Sequence, residues 1–484
     1  MRQPALLLYK MLLYFFIAAI AISGLCLLMP RRLAVTITAG LFLLAQLCCF
    51  MQVYKNQGLT ELYFFTYDKL AVLFFGLLNV AGMASFVHSI AYLDNESLKD
   101  YKFYNAGFIL LSAAIAGAYF SNNAMVSWIF LEVTTIAAAV LIYHRRTQKA
   151  LEATWKYIFV CSTGVALAYF GILFLSLMLH STAEADMSYA ALRQAVGDAN
   201  STYLKLAFLF IVVGYSCKME VFPLHTIGID ANNTAPAPAS AFLSTAMVNM
   251  GFVSIFRIYG TLYGSSITAW MQGVLMVSGI LSVLMATIYL RRVKNLKRLM
   301  AYSTVENMGI VLIALSLGGA GFYVAVLHTV VHTLVKSGMF LQLSQVGKIY
   351  GTYNVFKTGS YARVYPLGAV TLVLTLLGIT ATPPSGLFLT EVMLFKELTC
   401  GRHYVVFILL AVMLCLILYA LYNRMMYLCY NPLKEAHATR AEAKRPWLTA
   451  IQLLLVFAAF ILCFYQPLWL QNNINEIISL FTKV

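Results

Sequence analysis

Residues 217–223 read Cys217-Lys218-Met219-Glu220-Val221-Phe222-Pro223, and they interrupt an apolar run that begins near residue 203. Proline removes a helix hydrogen bond and clashes with the preceding turn, so a helix entering this stretch breaks or kinks. Polar Asp230-Ala231-Asn232-Asn233 follows. A later apolar run, 364–400, is interrupted the same way by Thr382-Pro383-Pro384-Ser385-Gly386. Broken membrane helices at corresponding places in two halves mark a transporter built from inverted repeats.

On either side of these breaks, apolar windows fall at about 5–28, 33–53, 70–92, 104–120, 122–143, 154–180, 203–221, 236–260, 268–290, 300–317, 320–346, 364–400, 403–429 and 447–470. Each is long enough to cross a bilayer at roughly 20 residues per helix. The fold expected is therefore an all-α polytopic membrane protein of about 14 transmembrane helices, with the seventh and twelfth broken. The two breaks are five spans apart, and an odd offset reverses direction, so repeats of five helices would be inverted. The expected organisation is N-terminal membrane helices in 1–95, a first half in 104–262, a second half in 266–430, and a loop with a final membrane helix in 431–484.

The charge pattern tests the count. Arg31/Arg32, Lys99/Lys102, Arg145/Arg146/Lys149, Arg291/Arg292/Lys294/Lys297/Arg298, Lys348/Lys357/Arg363 and Lys434/Arg440/Lys444/Arg445 all fall in odd-numbered loops. The positive-inside rule then places those loops in the cytoplasm and both termini outside. The apolar run 11–29 is long for a signal peptide, and Pro30-Arg31-Arg32 reads as the end of an uncleaved first span.

Composition agrees. Of 484 residues, 61% are hydrophobic and 11% charged, against roughly 25% charged in soluble domains. This excludes an ordinary soluble enzyme and a disordered chain. The net charge of +15 belongs to orientation in the membrane rather than to nucleic acid, because it is parcelled among the loops. Nine cysteines, mostly in apolar runs and with no CxxC pair, argue for inert thiols rather than disulfides, zinc or iron–sulfur ligation. No phosphate-binding glycine loop or dinucleotide fingerprint is present.

Ionisable residues inside the membrane cost about 2.5–3.5 kcal/mol each on insertion scales, so each needs a reason. Glu132 lies near the middle of the fifth span and Lys218 at the seventh-span break. His328, His332 and Lys336 recur at i, i+4 and i+8 in the eleventh span, which puts them on one helix face, and Glu391 follows the twelfth-span break. Such a row of titratable groups can pass protons. The alternative is a set of structural ion pairs, Glu132 with Lys218 and Lys336 with Glu391. Glu220, two residues from Lys218, meets it only if the helix breaks between them, and His225 follows Pro223 where backbone groups want partners. Lys156, at the start of the sixth span, reads as a snorkelling side chain. The His328/His332 spacing also suits a metal, but the Glu of HExxH is missing and no third ligand is evident.

Four stretches carry a family resemblance. They are Leu131-Glu132-Val133-Thr134-Thr135, Leu151-Glu152-Ala153-Thr154-Trp155-Lys156-Tyr157, residues 297–309 (KRLMAYSTVENMG) and residues 328–340. Together they resemble the antiporter-like proton-translocating subunits of respiratory complex I, group 4 [NiFe]-hydrogenases and Mrp cation/proton antiporters, over about residues 65–430. Within that family the likeness is strongest to the hydrogenase-4 component F branch. AYSTVENMG is similar to that branch's AYSSVEHMG, Asn249 stands where many complex I paralogues place lysine, and Glu391 matches the branch with glutamate. The resemblance implies a fourteen-helix core. It implies that Glu132 and Lys218 form the switch of the first half, His328, His332 and Lys336 the central relay, and Glu391 the outlet. One segment departs. The family reads HTWLPDAHxEAPxPVSA where this chain has His225-Thr226-Ile227-Gly228-Ile229-Asp230-Ala231-Asn232-Asn233-Thr234-Ala235-Pro236, so the Trp, first Pro, second His and Glu are replaced.

The function expected is a proton-translocating integral subunit of a hydrogenase-4-type, complex I-like oxidoreductase in a bacterial or archaeal cytoplasmic membrane. Redox cofactors, nickel–iron and iron–sulfur, would sit in partner subunits, integral and peripheral, and none in this chain. Two other readings stay open. One is a subunit of an Mrp-type Na⁺(K⁺)/H⁺ antiporter. The other is a non-transporting scaffold for redox partners.

Overall fold

The computed structural model describes residues 10–177, 186–198, 200–432 and 444–482. Lys434 and Arg440, and the expected ends of the first and sixth spans, lie outside these. Among the described residues, thirteen helices are long and apolar enough to cross a membrane. In chain order they include α1 (Met11–Leu28), α2 (Arg32–Lys55), α3 (Lys69–Tyr92), α4 (Leu98–Phe120), α5 (Ala124–Ile142), α6 (Gln148–Ser176) and α7 (Ser201–Met219). A short α8 (Thr226–Thr234) precedes α9 (Ala237–Leu262), α10 (Thr268–Leu290), α11 (Leu296–Leu317) and α12 (Ala320–Tyr350). The twelfth crossing is two half-helices, α13 (Pro366–Ile379) and α14 (Gly386–Cys400), followed by α15 (Tyr404–Tyr430) and α16 (Pro446–Phe464). Both expected breaks are present, at 220–225 and at 380–385.

Polar side chains start the helices where the apolar runs begin. Asp68, Ser97, Asn123, Thr147, Asn200, Asn295 and Ser385 each accept a hydrogen bond from a backbone N–H of the first turn. The first helix is capped from elsewhere in the chain. Glu61, in a small hairpin of β1 (Thr60–Glu61) and β2 (Phe65–Thr66), accepts from Leu12 N at 3.0 Å and Leu13 N at 3.2 Å. A carboxylate at those unpaired N–H groups also meets the positive end of the helix dipole.

Burial sorts the helices into centre and rim. The apolar spans within α9 and α11 are wholly sheltered by protein, whereas only 28% of the spans within α1 and α15 is. The rim presents large apolar side chains such as Ile37, Leu41, Val405 and Ile408, the surface a bilayer would cover.

Loop packing supports the parity of the count. Arg32, after α1, donates to the carbonyls of Leu93, Asp94 and Glu96 after α3. Arg146 pairs with Asp100, and Lys348, near the end of α12, pairs with Asp94. Odd-numbered connections thus gather on one face. On the other, Asn122 N donates to Phe64 O of the hairpin and Ala124 N to Met187 O, so the even connections meet as well.

One element was not anticipated. Residues 468–482 form an amphipathic α17 (Leu468–Thr482) whose buried side is Leu470, Ile474, Ile477 and Phe481. It packs on α3 and α12, and Phe481 enters a cluster with Phe256, Tyr259, Tyr263 and Phe322.

Candidate functional site

The break in the seventh crossing is built by close backbone contacts. α7 ends at Met219, and Glu220 takes a left-handed conformation with φ of 58°. The freed backbone needs partners, because no water competes for it at membrane depth. Two serines one turn apart on α10 supply them. Phe222 N donates to Ser282 Oγ at 2.8 Å, and Ser278 Oγ donates to Phe222 O at 2.6 Å. A helix of the second half therefore clamps the break of the first. Replacing both serines by alanine is expected to lower stability by about 1–3 kcal/mol per orphaned group. Unchanged thermal unfolding of the double variant in detergent would remove this role.

Lys218 is fully buried in the last turn of α7, where the negative end of the helix dipole favours a cation. Its ammonium donates to Thr135 Oγ1 at 2.7 Å, Thr134 Oγ1 at 3.2 Å and, more weakly, Tyr157 OH at 3.5 Å. Each of these hydroxyls has a further acceptor for its own hydrogen. Thr134 and Thr135 donate to Leu131 O, and Tyr157 donates to Met247 Sδ. Their lone pairs are thus left to Lys218, an arrangement that suits the charged amine. Met247 closes the π-helical turn Leu243–Met247 of α9. Such a turn weakens the carbonyl ladder, and Tyr119 OH donates to the Ala246 carbonyl at 2.9 Å.

Glu132 lies one residue beyond Leu131 on α5. Ser162 Oγ donates to its Oε1 at 2.8 Å, while its Oε2 is buried without a hydrogen-bond partner. Neither pair drawn from charge alone, Glu132 with Lys218 or Lys336 with Glu391, closes to within 4 Å among the described residues. Hydroxyls rather than a carboxylate hold Lys218. Lys156 pairs with Glu152 one turn away on the exposed face of α6, which accounts for it as a surface residue.

The second cluster stands on α12. His328, His332 and Lys336 are all fully buried. His328 is held at both nitrogens, Nδ1 against Thr390 Oγ1 at 2.9 Å and Nε2 against Asn307 Oδ1 at 3.1 Å. Asn307 Nδ2 donates to Ser303 O, which fixes its Oδ1 as an acceptor. A neutral ring therefore carries its hydrogen on Nε2 and accepts from Thr390. A protonated ring donates to both, and the Thr390 hydroxyl turns to Leu387 O, 2.8 Å away. His328 can gain or lose a proton without breaking its frame. His332 and Lys336 differ: neither ring nitrogen nor Nζ has a hydrogen-bond partner. Asn249 Nδ2 donates to Thr333 Oγ1 at 2.8 Å, which ties α9 to this helix. Glu391 follows Thr390 on α14. His225 stacks on Phe222 with ring centroids 6.2 Å apart.

Glu306, inside AYSTVENMG on α11, was missed as a site residue although its motif was noticed. It is 3% exposed, its Oε2 has no hydrogen-bond partner, and it lies within electrostatic range of both Lys336 and Glu391. The five-span offset offered the signal. Glu132 on the fifth crossing predicts a carboxylate on the tenth.

Residues 121–418, more than half of the chain, match the family model for the transmembrane proteins of NADH:quinone oxidoreductase and Mrp antiporters. The chain belongs to that family. Among curated proteins it is 30% identical over 345 residues to a hydrogenase-4 component F homolog of Methylacidiphilum infernorum (isolate V4), covering 69% of this chain and 72% of the relative. The fold matches a chain of the membrane-bound sulfane sulfur reductase, an archaeal respiratory membrane complex, with a TM-score of 0.84 at 22% identity over 99% and 98% of the two chains. A chain of the Mrp complex from Dietzia sp. DQ12-45-1b gives a TM-score of 0.84 at 15% identity over 98% of each. This is an antiporter-like, multi-span membrane subunit, and its relatives are subunits of multisubunit membrane complexes.

Proposed function

We propose that this chain carries protons across the membrane within a hydrogenase-4-type redox complex. Glu132, Lys218, Lys336, His332, His328 and Glu391 would be the transporting groups, with Glu220, His225 and Asn249 beside them. The observation that carries the reading is the pair Lys336 and His332, buried completely and left without hydrogen bonds. Burying such groups unpaired costs several kcal/mol, and a structural role would have given them partners. Ionisable groups at membrane depth mark ion pathways and proton relays. Water is the natural bridge between them, since they lie too far apart for direct hydrogen bonds. Electron transfer, with nickel–iron and iron–sulfur centres, belongs to partner subunits in this reading, and both termini face outward. The hydrogenase-4 relative and the AYSTVENMG motif favour this complex over the Mrp type.

Purification in mild detergent, with co-purifying chains identified by mass spectrometry, is expected to bring down a nickel–iron large subunit and iron–sulfur proteins. Cation-antiporter partners alone, with sodium-dependent proton flux and no electron donor, would replace this reading by the Mrp-type one.

A further inference from the structure

Two buried carboxylates, one from each half of the molecule, act electrostatically on Lys336. Glu306 on α11 is one. Glu220, at the break between α7 and α8, is the other, and both lie within electrostatic range of the Lys336 ammonium. Each has a buried Oε2 with no hydrogen-bond partner. Their placement is a product of the fold. Glu220 is fully buried, and its left-handed backbone turns its side chain back onto α8. There Asn232 Nδ2 donates to Oε1 at 2.8 Å. Gly228 makes the room, because a Cβ at that position would lie 2.2 Å from the Glu220 carboxyl carbon. α8 packs on α6 of the first half and on α11 of the second, so it sits across the junction. Lys297 of α11 fastens its end by donating to the carbonyls of Asn233 and Ala235.

We infer that Glu220 is the carboxylate through which the first half delivers a proton to Lys336. The inference rests on the transport reading and adds the junction to it. Through bridging water, the Oε2–H of protonated Glu220 gives up its proton and the neutral amine of Lys336 gains one, leaving a carboxylate and an ammonium. The ammonium then passes a proton, again through bridging water, to the Glu306 carboxylate. Lys336 is neutral again, and one proton has moved from Glu220 to Glu306 with no other bond changed. Asn232 holds Oε1 throughout, which keeps Oε2 as the exchanging atom.

The test uses the whole complex, reconstituted in vesicles, with proton uptake driven by its electron donor. Glu220→Gln keeps an acceptor for Asn232 and removes only the exchangeable proton. It is expected to lose transport on the order of a hundredfold, the usual size of a general acid–base contribution, with thermal unfolding unchanged. Glu220→Gln/Asn232→Asp returns a carboxylate to the same hydrogen bond with the ends exchanged, and is expected to recover much of the loss. Parent-like transport by Glu220→Gln, or an equal loss in the exchanged pair, would overturn the inference. If Lys218→Ala still abolished transport in that case, the transport reading would stand. No transport by the parent complex would overturn both.

Discussion

Lys218→Ala is expected to abolish proton transport by the complex, a loss on the order of a hundredfold or more, while the partner subunits keep part of their redox activity. The reason lies in what surrounds the amine. Thr134, Thr135 and Tyr157 direct lone pairs at Lys218, and no carboxylate lies within 4 Å among the described residues. The amine is therefore held by fixed dipoles rather than by a partner charge. Lys218→Arg separates charge from exchange. Arginine stays protonated in proteins and cannot release a proton. If Lys218 must cycle, the arginine variant fails as the alanine variant does. If a fixed positive charge is enough, it works. Glu132→Ala, on the same side of the molecule, is expected to match Lys218→Ala. Proton uptake into vesicles, measured beside electron-donor oxidation, reads all three. Uptake that survives in both Lys218→Ala and Glu132→Ala would end the assignment of these groups.

Much of the architecture was legible because hydropathy and proline act locally. Pro223 and Pro383-Pro384 mark breaks wherever the chain later packs, and apolar windows need only their own residues to be recognised. α17 escaped because Asn472, Asn473, Asn475 and Glu476 hold its average hydropathy down. Its buried positions follow a helical period, which a window average does not register. The kinds of site residue were legible for a similar reason, since a lysine in an apolar run is conspicuous by itself.

Their partners were not legible. Thr135 and Lys218 are 83 residues apart, and the packing of α6 against both α5 and α7 brings them together. Charge arithmetic pairs Lys218 with Glu132, but the fold gives Lys218 hydroxyls and gives Glu132 the Ser162 hydroxyl. Glu220 shows the limit most plainly. On a regular helix Glu220 and Lys218 do not share a face, and only a break between them could let them meet. The break instead places one left-handed residue at Glu220 itself and directs that carboxylate to Asn232. The replacement of the family's second histidine and glutamate in 226–234 thus falls on the helix that carries this new contact.

Gly251→Ala is expected to disable transport without touching an ionisable group. α9 crosses the break so closely that a Cβ at residue 251 would lie 2.4 Å from Met219 N and 2.6 Å from the Lys218 carbonyl carbon. Both are main-chain atoms, so no side chain can rotate to relieve the contact. Either α9 moves away or the end of α7 shifts, and both displace Lys218 and Glu220. Overpacking of this kind costs about 1–3 kcal/mol, and main-chain obstruction puts this site at the upper end. The loss of transport should exceed what stability alone predicts, because hydrogen bonds of 2.7–3.2 Å to the Lys218 amine do not survive a shift of about 1 Å. Gly273→Ala is the control. It lies on the adjacent α10 with nothing within 4 Å of its would-be Cβ, and is expected to be neutral in both stability and transport. Thermal unfolding in detergent and proton uptake in vesicles, measured on both variants, decide the matter. Parent-like uptake by Gly251→Ala would mean that the contact between α9 and the break does not position Lys218.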